Sequence, residues 1–307
     1  MHGYDIVVIG AGTAGLAAAK TAAELGARVL VVERTGPGGQ IMNASRIDNL
    51  PGYPAGITGV ELGPMLLEQA TAARAEVVLD TVEAIEADGA AWLVRALEDS
   101  YRARAVIVAA GSHRRSLGVI GEQRLLGKGV SHCAACDGPL YRGKIVGVVG
   151  GGDTALDEAA CLAELAAQVI VLHGGQQLTS AQQVLIDRVS NIANIEFRPE
   201  TVVEEILGET AVSGVRVRHT ATGEIHVLAI SAVVPCVGLA PNTAFLNGTV
   251  LLDVGGRIVT DHSMRTSLAG VYAAGDIRAA STALLVAAAN DGATAAIAAW
   301  RDLAAAR

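Results

Sequence analysis

A glycine-rich turn occurs twice in this chain, each time in the same setting. Gly10-Ala11-Gly12-Thr13-Ala14-Gly15 follows the apolar run Tyr4–Ile9 and opens an alanine-rich helical pattern. Gly150-Gly151-Gly152-Asp153-Thr154-Ala155 follows the run Lys144–Val149 in the same way. Residues 10–33 align on 150–173 without a gap: Leu16 falls on Leu156, Glu24-Leu25 on Glu164-Leu165, Val29 on Val169, and Val31-Val32 on Val171-Leu172. Each copy reads strand, glycine turn, helix, strand. Two such βαβ units predict an α/β chain with two Rossmann-like dinucleotide-binding domains.

The turn has a specific chemistry. Its first glycine permits the tight bend, its second lets backbone N–H groups approach a pyrophosphate, and the third small residue lets the helix pack closely on the strand. The helix N-terminus then faces the phosphates. The first copy ends in Glu33, where an acid that holds a ribose diol belongs, so it is expected to bind a dinucleotide. The second copy has His173 there, followed by Gly174-Gly175-Gln176-Gln177. With neither an acid for a diol nor an arginine for a 2′-phosphate, two readings stay open for it: a pyrophosphate cradle or scaffold alone.

Cys133-Ala134-Ala135-Cys136-Asp137-Gly138 lies just before the second unit. Two cysteines separated by two residues can form a disulfide or a thiolate of lowered pKa. A structural zinc site needs more ligands than His132 adds, and haem attachment needs a histidine where Asp137 stands. Redox chemistry is therefore the expectation, and no metal. Asp137 is a candidate to give or take the proton that accompanies each exchange step, the alternative being a cap on the turn at Gly138-Pro139. Cys161 and Cys236 fall in apolar helical and strand patterns and are expected to be small core residues.

Composition narrows the setting. Hydrophobic residues make up 51% of the 307, with a mean hydropathy of +0.42. No apolar stretch approaches the roughly 20 residues of a membrane span. The excess is mostly Ala and Val, which suits helices and strands buried between layers. A formal net charge of −8 argues against nucleic-acid binding. The basic cluster His113-Arg114-Arg115 is read as a solvated linker. The first strand pattern begins at Tyr4, leaving no room for a secretion signal, so a cytoplasmic location is expected.

Toward the end, Val271-Tyr272-Ala273-Ala274-Gly275-Asp276 reads as a short strand ending in Gly-Asp, followed by a helical pattern from about Thr282 to Leu303. Asp276 at a strand end can accept hydrogen bonds from a polyol such as ribitol, and the following helix N-terminus favours negative charge. After a dinucleotide unit and a cysteine pair, this favours FAD.

The full set of motifs resembles the low-molecular-weight thioredoxin reductases. To the glycine turns it adds Gly38-Gly39-Gln40, Ile47-Asp48-Asn49-Leu50-Pro51-Gly52-Tyr53-Pro54, Cys-Ala-Ala-Cys-Asp-Gly at 133–138 and Ala-Ala-Gly-Asp at 273–276. The resemblance implies an FAD domain (1–113 and 243–307) split by an inserted pyridine-nucleotide-like domain (114–242) that carries the cysteines. It also implies a homodimer and a large rotation between domains. Cys136 would face the flavin, Cys133 would attack the partner disulfide, and Asp137 would handle the proton. FAD contacts would fall on Gly10, Gly12, Glu33, Gly39, Gln40, Asn49 and Asp276, with Thr13, Ala14, Arg34, Val82, Ala110, Gly111 and Gly275 completing the cofactor-binding set.

Two segments depart from the family. Its His-Arg-Arg-x-x-x-Arg stretch, which grips the NADPH 2′-phosphate, reads His173-Gly174-Gly175-Gln176-Gln177-Leu178-Thr179 here. Its Arg-Gln pair after Gly-Asp is Ala283-Leu284. The expectation is an FAD-dependent reductase passing electrons through Cys133 and Cys136 to a thioredoxin-like protein or another disulfide. The donor could be NADH, weakly used NADPH or ferredoxin. Two alternatives stand beside it: a dithiol oxidase that delivers electrons to oxygen, and a flavin-binding redox sensor without turnover.

Overall fold

The computed structural model describes residues 3–44, 46–178 and 181–306, with the side chains of 135 and 136 excepted. The chain forms two compact α/β units, Met1–His113 with Ala240–Arg307, and Arg114–Leu239.

In the first unit, β1 (Gly3–Ile9) leads through the glycine turn into α1 (Thr13–Glu24) and β2 (Val29–Glu33). A 3-10 turn at Gly39–Asn43, α2 (Gly59–Ala72) and β3 (Glu76–Leu79) follow, then a meander of β4 (Val82–Asp88), β5 (Ala91–Ala96) and β6 (Ser100–Val108). Strand order is β3-β2-β1-β6-β5-β4. β1, β2, β3 and β6 run parallel, and β4 and β5 antiparallel. Alternate residues of β1 and β2 feed opposite faces: Ile6, Val8, Val29 and Val31 pack on the helices, while Val7, Ile9, Leu30 and Val32 pack under the meander. Burial on both faces is why these strands read as unbroken apolar runs.

β7 (Ser112–Arg114) precedes the second unit. There α3 (Ala134–Asp137) continues into a 3-10 turn at Gly138–Tyr141, and β8 (Ile145–Val149), α4 (Asp153–Ala163) and β9 (Gln168–Leu172) form the second βαβ unit. The repeat survives in three dimensions. Ile6 pairs with Val29 on β1–β2, and Val146 pairs with Val169 on β8–β9, the positions that the sequence alignment superposes. α5 (Gln183–Ser190), β10 (Ile195–Arg198), β11 (Thr201–Leu207), β12 (Gly214–His219), β13 (Ile225–Leu228) and β14 (Ala232–Pro235) complete the unit. A parallel sheet β10-β9-β8-β14 carries α3 and α4 on one face, and the antiparallel sheet β11-β12-β13 covers the other. The redox turn thus packs on the same face as α4, with Ala134 buried in that layer.

β15 (Leu239–Pro241) pairs with β7. The chain then adds β16 (Val271–Ala273) beside β6 in the first unit, followed by α6 (Leu285–Ala305). α6 crosses α1 through small residues, Ala18, Ala19 and Ala22 meeting Ala295, Ala296 and Ala299. A Cβ on Gly292 would lie 2.0 Å from the Ala14 carbonyl oxygen. Close helix crossing therefore accounts for the alanines on the facing sides of α1 and α6. Among the described residues no helix is long and apolar enough to cross a membrane.

Two expectations change. α6 begins at Leu285 rather than near Thr282, because Ala280 and Ala283 hold positive φ (58° and 53°) and the Ser281 hydroxyl accepts the Ala283 N–H at 3.2 Å. His113 and Arg115 are exposed, but Arg114 is no solvated linker residue: its side chain is 10% exposed and ion-paired with Glu158.

Candidate active site

The sharp end of β1 is where the sequence motifs converge. Gly10 sits at φ +101°, and a Cβ there would lie 2.5 Å from the Ala109 carbonyl, so only glycine lets the turn pass so close to the end of β6. A Cβ on Gly15 would strike the Gly10 carbonyl at 1.9 Å. Gly39 and Gly275 reach the same spot, their Cβ positions lying 2.9 Å from Gly12 Cα and from Ala14 Cβ. The Glu33 carboxylate accepts the Ala11 N–H at 2.7 Å and the Thr35 N–H at 2.9 Å. Gly10, Gly12, Thr13, Ala14, Glu33, Gly39, Ala110 and Gly275 are thus gathered around one turn.

The other candidates lie around this group. Gln40 donates to the Ser112 carbonyl at 2.9 Å. Asn242, which the sequence analysis did not single out, donates to the Ala110 carbonyl at 2.7 Å and through its N–H to Gly111 at 3.0 Å. Asp276 accepts the Ser281 hydroxyl at 3.0 Å. Val82 begins β4, just past the Glu33–Leu79 pairing. Arg34 and Asn49 are exposed, Asn49 in the loop that the Ile47–Ile57 bridge closes.

The redox turn is built differently. Cys133 is disulfide-bonded, while Cys161 and Cys236 are free. The side chain of Cys136 lies outside the described residues. Two side chains hold the turn by its backbone. The Ser131 oxygen accepts the Cys133 N–H at 3.1 Å, and a buried Glu158 oxygen on α4 accepts the Ala134 N–H at 2.6 Å. The Ser131 hydroxyl donates to the Asp137 carboxylate at 2.5 Å. Asp137 makes no side-chain cap to the 3-10 turn that follows it. Burial, and then the nearby Asp137 carboxylate, push the Tyr141 phenol up. Sequence reasoning missed Ser131, Glu158 and Arg114. Glu158 carried one clue, an acid on a helix face that is otherwise buried.

In the second unit a cleft of about 380 Å³ opens over the matching glycine turn. Its lining includes Gly150, Gly151, His173, Gly174, Gly175, Gln177 and Thr201, backed by Leu117, Val149, Leu172 and Val203. No lysine or arginine is among these lining residues. His173 is buried, and burial lowers its pKa, so the ring stays neutral near pH 7. Glu200, whose N–H donates to the carbonyl of the lining residue Gly175 at 3.0 Å, accepts from Gln176 at 3.3 Å through its carboxylate. Leu178 closes one side of the glycine turn, and Thr179 lies outside the described residues.

Two Rossmann-like units, the second with a cysteine pair just ahead of its βαβ element, define a nucleotide-dependent disulfide oxidoreductase. The chain belongs to the pyridine nucleotide-disulphide oxidoreductase family, whose model matches residues 4–292. It is 40% identical over 296 residues to a thioredoxin reductase of Treponema pallidum, covering 96% of each chain. It is 39% identical to one of Listeria monocytogenes, covering 94% of this chain and 90% of the other. The crystal structure of Lactococcus lactis thioredoxin reductase superposes with a TM-score of 0.96 at 34% identity, covering 98% of this chain and 99% of that one. The chain is therefore an enzyme of the thioredoxin reductase type, an FAD-dependent disulfide oxidoreductase.

The first unit fits that cofactor. Thr13 Oγ1, at the first position of α1, is buried without a hydrogen-bond partner among the described residues, as a donor awaiting a phosphate oxygen would be. The first turn of α1 carries no acidic residue to repel a pyrophosphate. A Cβ on Gly12 would meet nothing nearer than Gly39 Cα at 3.9 Å, so the turn leaves an open cradle.

Proposed function

We propose that the chain reduces the disulfide of a thioredoxin-like protein through its Cys133–Cys136 pair, and that NADPH is a poor electron donor for it. The glycine turn at Gly10–Ala14, with Glu33, Gly39 and Gln40, would hold FAD, and Gly275-Asp276 would meet its ribityl chain. Asn49, Arg34, Val82, Ala110 and Gly111 would complete that site. Bound FAD supplies the capacity to pass an electron pair from the donor to the cysteines. Two electrons and two protons convert the Cys133–Cys136 disulfide to a dithiol. The Cys133 thiolate then attacks the partner disulfide, and Cys136 resolves the mixed disulfide, which re-forms the internal bond and releases the partner as a dithiol. Asp137, hydrogen-bonded by Ser131, would carry the proton at each exchange. The observation that carries the reading is the bonded Cys133 in a turn whose backbone N–H groups are held by Ser131 and Glu158.

The donor preference follows from charge. A 2′-phosphate entering the cleft would meet a neutral imidazole, two glycines and glutamine, with Glu200 nearby. Each charge-assisted hydrogen bond it forgoes is worth about 1.5–3 kcal/mol. NADH needs no such partner, and a one-electron carrier such as ferredoxin needs no cleft. A homodimer in the cytoplasm belongs to the same reading.

Anaerobic stopped-flow on the FAD-loaded protein tests it by following loss of flavin absorbance. NADH or reduced ferredoxin is expected to bleach the flavin at least about tenfold more efficiently than NADPH. Efficient bleaching by micromolar NADPH would refute the donor preference. Bleaching by a dithiol alone, with reoxidation by air, would instead select the oxidase. No bleaching by any donor would leave a sensor.

A further inference from the structure

Arg114 and Glu158 form an enclosed ion pair in the second unit, their side chains 10% and 6% exposed. Nothing in the proposed electron path uses them. Their geometry nevertheless ends on the redox turn. One Glu158 oxygen takes Arg114 and the other accepts the Ala134 N–H at 2.6 Å, the amide immediately after Cys133. Arg114 Nη1 also reaches Cys236 Sγ at 3.6 Å, just past the end of β14. The three residues come from three places, β7, α4 and the end of β14, and meet under α3.

A carboxylate buried one peptide group from a reactive sulfur creates a conflict. It fixes the turn through the Ala134 amide, but its charge opposes thiolate formation at the neighbouring cysteine. A cation on its other oxygen removes that opposition and leaves the hydrogen bond intact. We propose that Glu158 is a positioning residue for the Cys133–Cys136 turn and that Arg114 is its charge-cancelling partner, so that the turn is held in place without suppressing the nucleophilic thiolate. The inference rests on Cys133 being the attacking sulfur, as proposed above. The other titratable groups around it are His132 and Asp137 on the turn, Tyr141 on the following 3-10 turn and Cys236, whose thiol burial pushes up to about 12. None of these is altered in the variants below.

The two partners should act with opposite sign. Arg114→Met leaves the carboxylate uncompensated, and the thiolate pKa at Cys133 should rise. Glu158→Gln keeps an oxygen for the Ala134 N–H but leaves the guanidinium uncompensated, and the pKa should fall. Each shift should be about one unit, as a single unpaired charge within a few ångströms produces. The double variant should return close to the parent value, and Arg114→Lys should stay near it. The readout is the pH dependence of iodoacetamide alkylation of the reduced, FAD-loaded protein, resolved by peptide mapping so that Cys161 and Cys236 are scored separately. Shifts of opposite sign that cancel in the double variant support the proposal. Shifts of the same sign, or none, overturn it, because a merely structural pair would loosen the turn alike from either side. Should Arg114→Met fail to fold, Glu158→Gln decides alone: a downward shift supports, an unchanged profile overturns. Alkylation does not depend on turnover, so failure here is distinct from failure of the reductase reading, which loss of the cysteines tests.

Discussion

Cys136→Ser is expected to retain bound FAD and to lose turnover of protein disulfides by at least about a thousandfold. A serine hydroxyl cannot form the internal disulfide, so no electron pair can be stored on the turn. It also cannot resolve a mixed disulfide. Cys133, kept in place by Ser131 and by the Ala134–Glu158 hydrogen bond, should still attack a disulfide partner but remain bonded to it. Mass spectrometry should therefore find a covalent adduct on Cys133 after incubation with oxidised thioredoxin. FAD should stay, because the residues gathered around the first glycine turn belong to the other unit. Turnover retained in this variant would place the chemistry elsewhere.

Asp291→Ala should produce the largest loss of stability. Asp291 is 2% exposed on α6 and accepts from Arg278 Nε at 2.5 Å and Nη2 at 2.8 Å. It also accepts the Gly275 N–H at 3.2 Å. The pair ties α6 to the Gly275–Ile277 turn, so the carboxylate supports the segment proposed to meet the ribityl chain. Removing it leaves a guanidinium only 16% exposed without its counterion, and breaking an enclosed pair in this way costs about 3–5 kcal/mol. Thermal melts should show the loss, and the flavin should be released at lower temperature than in the parent. Removing both charges in Asp291→Leu with Arg278→Met should restore most of the stability, since the desolvated, unpaired charge is the source of the cost. A double variant as unstable as Asp291→Ala would contradict that account.

The sequence carried the architecture because two βαβ units repeat in it with the same spacing. A glycine turn demands a particular backbone path, and unbroken apolar runs on either side mark strands buried on both faces, so strand, turn, helix and strand could be placed in both copies; that β1–β2 and β8–β9 share one register is visible only in the structure. Proximity across long separations was not legible. Arg114 reads as one of three basic residues in a linker, and its partner Glu158 lies 44 positions away. Ser131 precedes the cysteine pair by two residues, but hydroxyl-to-amide geometry leaves no periodic trace. The start of α6 was misplaced because Ser281 and two residues at positive φ delay the helix, a local balance that hydrophobic period does not record. Asn242 escaped notice for the same reason as Glu158: its importance lies in what it touches, the Ala110 and Gly111 carbonyls, more than a hundred positions earlier.

The most direct test of the central claim, that flavin and the Cys133–Cys136 pair form one redox system, is an anaerobic dithionite titration followed by flavin absorbance. The parent should take up about four electrons per chain, two for FAD and two for the disulfide, while Cys133→Ser should take up about two. Equal uptake by both proteins would show that the cysteines exchange no electrons with the flavin, and the account would fail.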